Sequence, residues 1–298
     1  MSEPHVATIT ASGANLVAMT AATSTRPAVG QLIRGWRSRR RCSQQEVSNE
    51  VGVSTRHLSC VETGRSRPSP ELVLALAEFL EVPLRDRNSM LQAAGHAPRY
   101  SERQLDDPAL ATAIASIQQM LDAHSPYPGV AVDLHWNVVL ANDAALVLVA
   151  GLPAELLEPQ INVYRVCMHP DGLVSMSDNA HEWVPDLYDQ LRRSVATTAD
   201  AGLRELLAEV ENYPTVAEQV GSIGEPGPGP SVLVPMNLVF GSEVGENGGM
   251  SDHTVLSLFT TITTFGTPRD ITVQELSVEL FFPADAATAE ALRSRSST

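Results

Sequence analysis

Between Val29 and Gly95 apolar positions recur at spacings of three and four, with polar residues filling the gaps. That is the period of helices packed by one face. Leu32, Ile33 and Trp36 mark a first helix, and Val47 and Val51 a second. The second opens at Ser43, with Glu46 three residues on, the spacing of a capping box. Gly52 supplies a turn where a Cβ is penalised. Ser54 caps a third helix, with Leu58 and Val61 on its inner side, and Gly64 closes it. Ser69-Pro70-Glu71 then gives a cap, a proline at the first helical position and an acid near the positive helix end. Leu72, Leu76, Phe79 and Leu80 follow on one stripe, and a fifth helix spans roughly 84–94.

Beyond His96 the period changes. Leu110, Ile114, Ile117 and Leu121 predict one more amphipathic helix. Val130, Val132, Leu134, Trp136, Val138 and Leu140 alternate as a half-buried strand or hairpin does, with its turn at His135-Trp136-Asn137. Asn142 caps the helix that follows. Helices are expected at 180–199 and 200–212, strands at 231–240 and 253–265, and a last strand or extended segment at 274–282. Gly221–Pro230 reads as a mobile loop, and Asn247-Gly248 suits a tight hairpin turn. The class is α+β: an all-α five-helix domain, then an α+β domain with an antiparallel sheet. The expected organisation is a disordered tail over 1–27, the helical domain over 28–95, a linker over 96–107 and a second domain over 108–293.

The pair of short helices around Gly52 is a helix-turn-helix, whose second helix fits the major groove. A net charge of −15 argues against DNA until it is divided. Arg26 to Tyr100 holds 12 arginines against 7 carboxylates, and the remainder 8 against 28. Screening over about 8 Å at physiological salt leaves the local basic surface in control of phosphate contact. All 20 basic residues are arginine.

The three cysteines are scattered, with no C-x-x-C, so neither a disulfide framework nor a zinc site is indicated. No apolar run approaches the ~18 residues of a membrane span. The first 25 or so residues lack a secretory pattern, and a cytoplasmic location is expected. His169, Asp171, Ser175 and Ser177 lack any nucleophile context, so neither an enzyme nor a cofactor or metal is expected.

Residues 35–100, GWRSRRRCSQQEVSNEVGVSTRHLSC onward, resemble the Cro/C1-type (XRE) helix-turn-helix. LDDPAL, HSPYPGVAVDLHWNVVLAN, NVYRVCMHPDGL, ENYP and TTFGTPRDITVQELSVELFFPAD are similar to MmyB-like transcription regulators. The resemblance covers about residues 29–293. It implies a sequence-specific DNA-binding regulator, a homodimer on double-stranded DNA, whose PAS-like second domain senses a small lipophilic ligand such as a fatty acid. The alternative is an antitoxin-like DNA-binding interaction protein whose C-terminal domain binds a protein partner.

By that resemblance Thr55, Arg56, Ser59 and Cys60 face base edges, and Ser54, the cap, is counted with the DNA-binding residues. Arg56 either forks onto guanine O6 and N7 or touches phosphate. Gln44 resembles a phosphate anchor, and Arg37, Arg40, Arg41 and Arg65 are either phosphate partners or simply solvated. Glu62 is structural, positioned to pair with an arginine of the first helix. In the second domain Trp136, Val138, Leu148, Val163, Trp183, Leu187, Leu258, Ile262 and Phe265 are either pocket walls or core. Asn142 is placed among the ligand-binding residues as well. Arg165 and His169 either hold a carboxylate head group or support local loops.

Overall fold

A computed structural model describes residues 28–198, 200–220, 233–241 and 254–295. Its N-terminal helices form where caps and stripes agree. α1 (Val29–Arg39) buries Ile33 and Trp36. Before α2 (Gln44–Glu50), Ser43 Oγ accepts from the Glu46 N–H at 3.2 Å, and the Glu46 carboxylate accepts from the Ser43 N–H at 2.6 Å. Gly52 takes φ +71°. Ser54 Oγ accepts from the His57 N–H at 3.1 Å and starts α3 (Thr55–Glu62). α4 (Pro70–Phe79) and α5 (Leu84–Ala93) complete the bundle. Ile33, Val47, Leu58, Val61, Leu76 and Met90 form its buried centre. α1 meets α3 so closely that a Cβ on Gly30 would stand 2.4 Å from the Val61 carbonyl oxygen.

After a 3-10 turn at Pro108–Leu110 come α6 (Ala111–His124), β1 (Gly129–Val132) and β2 (Val138–Ala141). The turn between the strands is tied by Asp133, which accepts from the N–H groups of His135 and Asn137, and Trp136 sits there at φ +64°. Then follow α7 (Asp143–Val149), α8 (Ala154–Leu157), α9 (Val163–Met168), α10 (Ala180–Thr198), α11 (Ala201–Val210) and α12 (Pro214–Val220). β3 (Met236–Phe240), β4 (Thr254–Thr264), α13 (Ile271–Glu275), β5 (Ser277–Pro283) and α14 (Ala286–Arg295) end the described chain. The sheet is antiparallel throughout, in the order β2-β1-β5-β4-β3.

Alternation along the strands divides the sheet into two faces. Ala131 and Val278 pack with Ile117 and Leu121 of α6. The opposite face, with Leu238, Leu256 and Leu258, packs against Tyr164 of α9 and Trp183, Val184 and Leu191 of α10. The α+β class and the antiparallel sheet are therefore as expected.

Some boundaries differ. The strand expected from Ser231 begins at Met236 among the described residues; the preceding Pro235 has no N–H to give to a ladder. The segment from Gln274 is still helical until Glu275, because Asp270 caps α13 through the Thr272 N–H at 3.0 Å. The tail over 1–27, the Gly221–Pro230 loop and the Asn247-Gly248 turn lie outside the described residues.

The N-terminal bundle leans on the sheet-bearing part through α5. The Leu84 N–H donates to Gln274 Oε1 at 2.7 Å, and Arg85 forks onto both oxygens of Glu275 at 2.7 and 2.9 Å. Arg103 reaches Asp270, and Thr272 donates to the Arg103 carbonyl at 2.6 Å.

Candidate nucleic-acid interface and ligand cleft

The helix-turn-helix is braced from beneath by one carboxylate. Glu62, on the inner side of α3, accepts from Arg37 Nε at 2.7 Å, Arg37 Nη2 at 2.9 Å and Gln44 Nε2 at 2.7 Å. Burial alone would raise the Glu62 pKa, but the Arg37 and Gln44 hydrogen bonds outweigh it and hold it below the ordinary carboxylate value. Arg37 and Gln44 are thus committed to the scaffold. Arg40 is also engaged, donating to the carbonyls of Leu80 and Glu81 at 2.9 and 3.1 Å.

The remaining residues surround the opening turn of α3. Thr55 donates to Gln45 Oε1 at 2.9 Å, which fixes the start of α3 against α2. Ser54 is spent as the cap, Ser59 and Cys60 are half-buried, and Arg41, Arg56 and Arg65 are exposed. Arg41 takes φ +56°, just beyond the end of α1. This arrangement offers exposed guanidinium groups beside a hydrogen-bonded helix start, which suits contact with phosphates and base edges.

In the second part, α10 spans the inner sheet face and leaves a cleft in two sections. One, about 450 Å³, lies between Trp183 and Leu187 of α10 and Met236, Leu258 and Phe281 of the sheet. The other, about 780 Å³, runs from Val132, Leu134 and Trp136 to Pro83, Arg85 and Asp86 of the N-terminal bundle. Gln190 and Arg193 line both. Beside them a purely apolar recess of about 50 Å³ lies among Val138, Leu148, Val163 and Phe281.

The expected ligand residues are scattered about this cleft. Trp183 and Leu258 line the first section, and Trp136 the second. Ile262 is 44% exposed and paired across the ladder with Glu279. Phe265 borders a separate groove with Arg103 and Asp270. Asn142 is fully employed: its side chain accepts from the N–H groups of Gly129 and Ala145 and donates to the carbonyls of Leu121 and Tyr127. Arg165 forks onto Glu209 with both bonds at 2.8 Å, and Glu209 also accepts from the Tyr213 hydroxyl at 2.7 Å. His169 packs edge-on against Tyr213. Arg165 and His169 do come together, but around Glu209 and Tyr213.

The cleft residues that went unforeseen include Gln190, Arg193 and Glu279. Gln190 and Arg193 continue the stripe of Trp183, Asp186 and Leu187 at helical spacing. Glu279 sits on the inner face of β5 beside Phe281 in the alternation, where an apolar residue is the rule, and that misplacement was the available signal. It is 7% exposed. Among the described residues no three side chains converge as metal ligands.

The profile described as MmyB-like transcription regulator ligand binding domain matches residues 113–294, and one described as helix-turn-helix domain matches 28–90. Transcriptional regulator ClgR of Mycobacterium tuberculosis, in strains CDC 1551 / Oshkosh and ATCC 25618 / H37Rv, is 41% identical over 59 residues. Those residues are 20% of this chain, and the chain spans about half (53%) of these relatives' length. A solved structure entitled "Structure of an RNA-binding Light-Oxygen-Voltage Receptor" aligns with 93% of this chain and 65% of its own at 13% identity. Its TM-score of 0.25 is too low to support an argument about fold or function.

Proposed function

The chain belongs to the MmyB-like transcription regulators, and from that premise we propose that a small lipophilic molecule, with a fatty acid as first candidate, enters the cleft under α10 and changes the hold on DNA. The protein is a DNA-binding transcription regulator with a helix-turn-helix and an MmyB-like ligand-binding domain. The observation that carries the ligand reading is the first cleft section, where Trp183, Leu187, Leu258 and Phe281 form apolar walls beside a few polar groups. Ligand sites have that composition. Arg165 is not free to hold the head group, because it already serves Glu209.

On DNA, Arg56 reads a base edge, and Arg41 and Arg65 hold phosphates. The bundle over 28–95 acts as the DNA-binding unit and 108–293 as the sensor, joined by 96–107. Two copies occupy a two-fold operator, since half-sites one helical turn apart suit a dimer. The cytoplasm is the expected location, and among the described residues no helix is long and apolar enough to cross a membrane. A ligand shifts DNA affinity only through different affinities for two arrangements of the protein.

Mass spectrometry of material extracted from the purified protein tests the reading. A lipophilic molecule is expected from the wild type and less of it from Trp183→Ala. Equal yields from the two proteins would place the ligand elsewhere.

A further inference from the structure

Glu279 stands in the wall of the first cleft section, 7% exposed, with Oε2 meeting no hydrogen-bond partner among the described residues. The Tyr164 hydroxyl on α9 is likewise buried and unpartnered among the described residues. A buried polar atom without a partner is costly, and native interiors seldom retain one without a reason. Here the side chain that carries the atom lines a space large enough for a guest.

The charge state of Glu279 selects the guest. From α9 it faces Tyr164 and Cys167; from α10, Asp186 and Arg193; from β4, Thr260. Burial pushes the Glu279 carboxyl up to about 7, and the Thr260 side chain, which pulls it down, does not offset this. Burial and the neighbouring Glu279 also push the Cys167 thiol up to about 12 and raise the Tyr164 phenol. Two of the groups that line this section, Glu279 and Cys167, are therefore shifted toward their protonated forms, beside Asp186, with Arg193 exposed at the rim. A neutral carboxyl donates one hydrogen bond. A carboxylate head group pressed against it would add a buried negative charge, which is strongly disfavoured.

We propose that Glu279, as a neutral acid, donates a hydrogen bond to an uncharged carbonyl on the ligand, so that the cleft takes esters, lactones, amides or the protonated form of a fatty acid in preference to a carboxylate or an amine. This rests on the lipophilic-ligand reading and adds the chemistry of the head group. It makes Glu279 the residue that sets specificity.

Calorimetric titration of the full chain with methyl laurate, lauric acid and laurylamine, at about pH 5.5 and about pH 8.5 on either side of the Glu279 value, tests it. Methyl laurate is expected to bind at the lower pH and to weaken by about tenfold or more at the higher, where Glu279 must first regain its proton. Lauric acid should weaken more steeply, since it ionises as well. Glu279→Gln keeps a donor that does not titrate, so ester binding should persist and lose its pH dependence. Carbon-13 spectra of glutamate-labelled wild type provide a second readout: bound ester should move the Glu279 midpoint upward. Tighter binding of laurylamine that Glu279→Gln abolishes would overturn the proposal. So would lauric acid binding equally at both pH values, or a midpoint that stays put or falls when ester binds. If none of the three probes binds at either pH, the lipophilic-ligand reading fails as a whole; acceptance of the acid or amine with rejection of the ester removes the head-group assignment alone.

Discussion

Arg37 and Glu62 meet in a two-point ion pair at 2.7 and 2.9 Å, with side chains only 14% and 3% exposed, and it locks α1 to α3. Gln44 adds a third bond from α2. α1, α2 and α3 share one buried anchor. Glu62→Ala would leave the Arg37 guanidinium buried without its counter-charge, a loss of about 3 kcal/mol. Urea denaturation should show it. The same anchor weakens in acid. The Glu62 pKa is depressed in the folded state, so its contribution is complete above the unfolded carboxylate value and disappears as pH falls through the folded one. The acid limb of the stability profile should therefore flatten in Glu62→Gln.

Gly30 is a second point of contact between α1 and α3. A methyl group there would stand 2.4 Å from one backbone oxygen and 2.5 Å from the next, and backbone cannot retreat cheaply. Gly30→Ala should destabilise the bundle by about 3 kcal/mol or more. DNA retention should fall while the circular dichroism of the sheet persists. Unchanged DNA affinity would mean that α1 can move away from α3 at little cost.

Arg56 and Arg41 should separate by the kind of loss they produce. Arg56→Ala is expected to relax preference at one base pair, costing about 1–3 kcal/mol on the matched duplex and little elsewhere. Arg41→Ala should weaken all duplexes alike and reduce the salt slope by about one. Binding titrations on matched and mismatched duplexes at several salt concentrations decide between them, and equal losses would remove the assignment.

The Arg85–Glu275 fork joins α5 to α13. If ligand and DNA communicate through this contact, Glu275→Ala should leave both single affinities within about twofold and reduce their mutual effect, since coupling is a separate free energy. DNA titrations with and without methyl laurate measure this. A coupling unchanged by the substitution would direct attention to another route.

Much of this was legible in the chain. The capping residues Ser43 and Ser54, the Gly52 turn and the stripes of Ile33, Leu58 and Leu76 specify the bundle locally, so period and cap were enough. Glu62 was readable as well, because a carboxylate on the inner side of α3 needs a cation and α1 is rich in arginine. The cleft was less legible, because its walls come from α10, β4 and β5, whose meeting is a matter of tertiary packing. Arg165 and His169 drew attention as neighbouring cations; what sequence spacing conceals is Glu209, a full helix away, which occupies Arg165. Asn142 was readable as a cap; its bonds to Gly129, Leu121 and Tyr127, which occupy the rest of the side chain, depend on tertiary packing.

The segment that holds Arg85 is also the root of the strand that faces the cleft: Glu275 ends α13, and β5 carries Glu279 inward a few residues later. A guest that shifted this strand would therefore pull on a very short tether to α5 of the N-terminal bundle. Cleft wall and bundle contact belong to one stretch of backbone, and a displacement at one would have few residues in which to dissipate before it met the other.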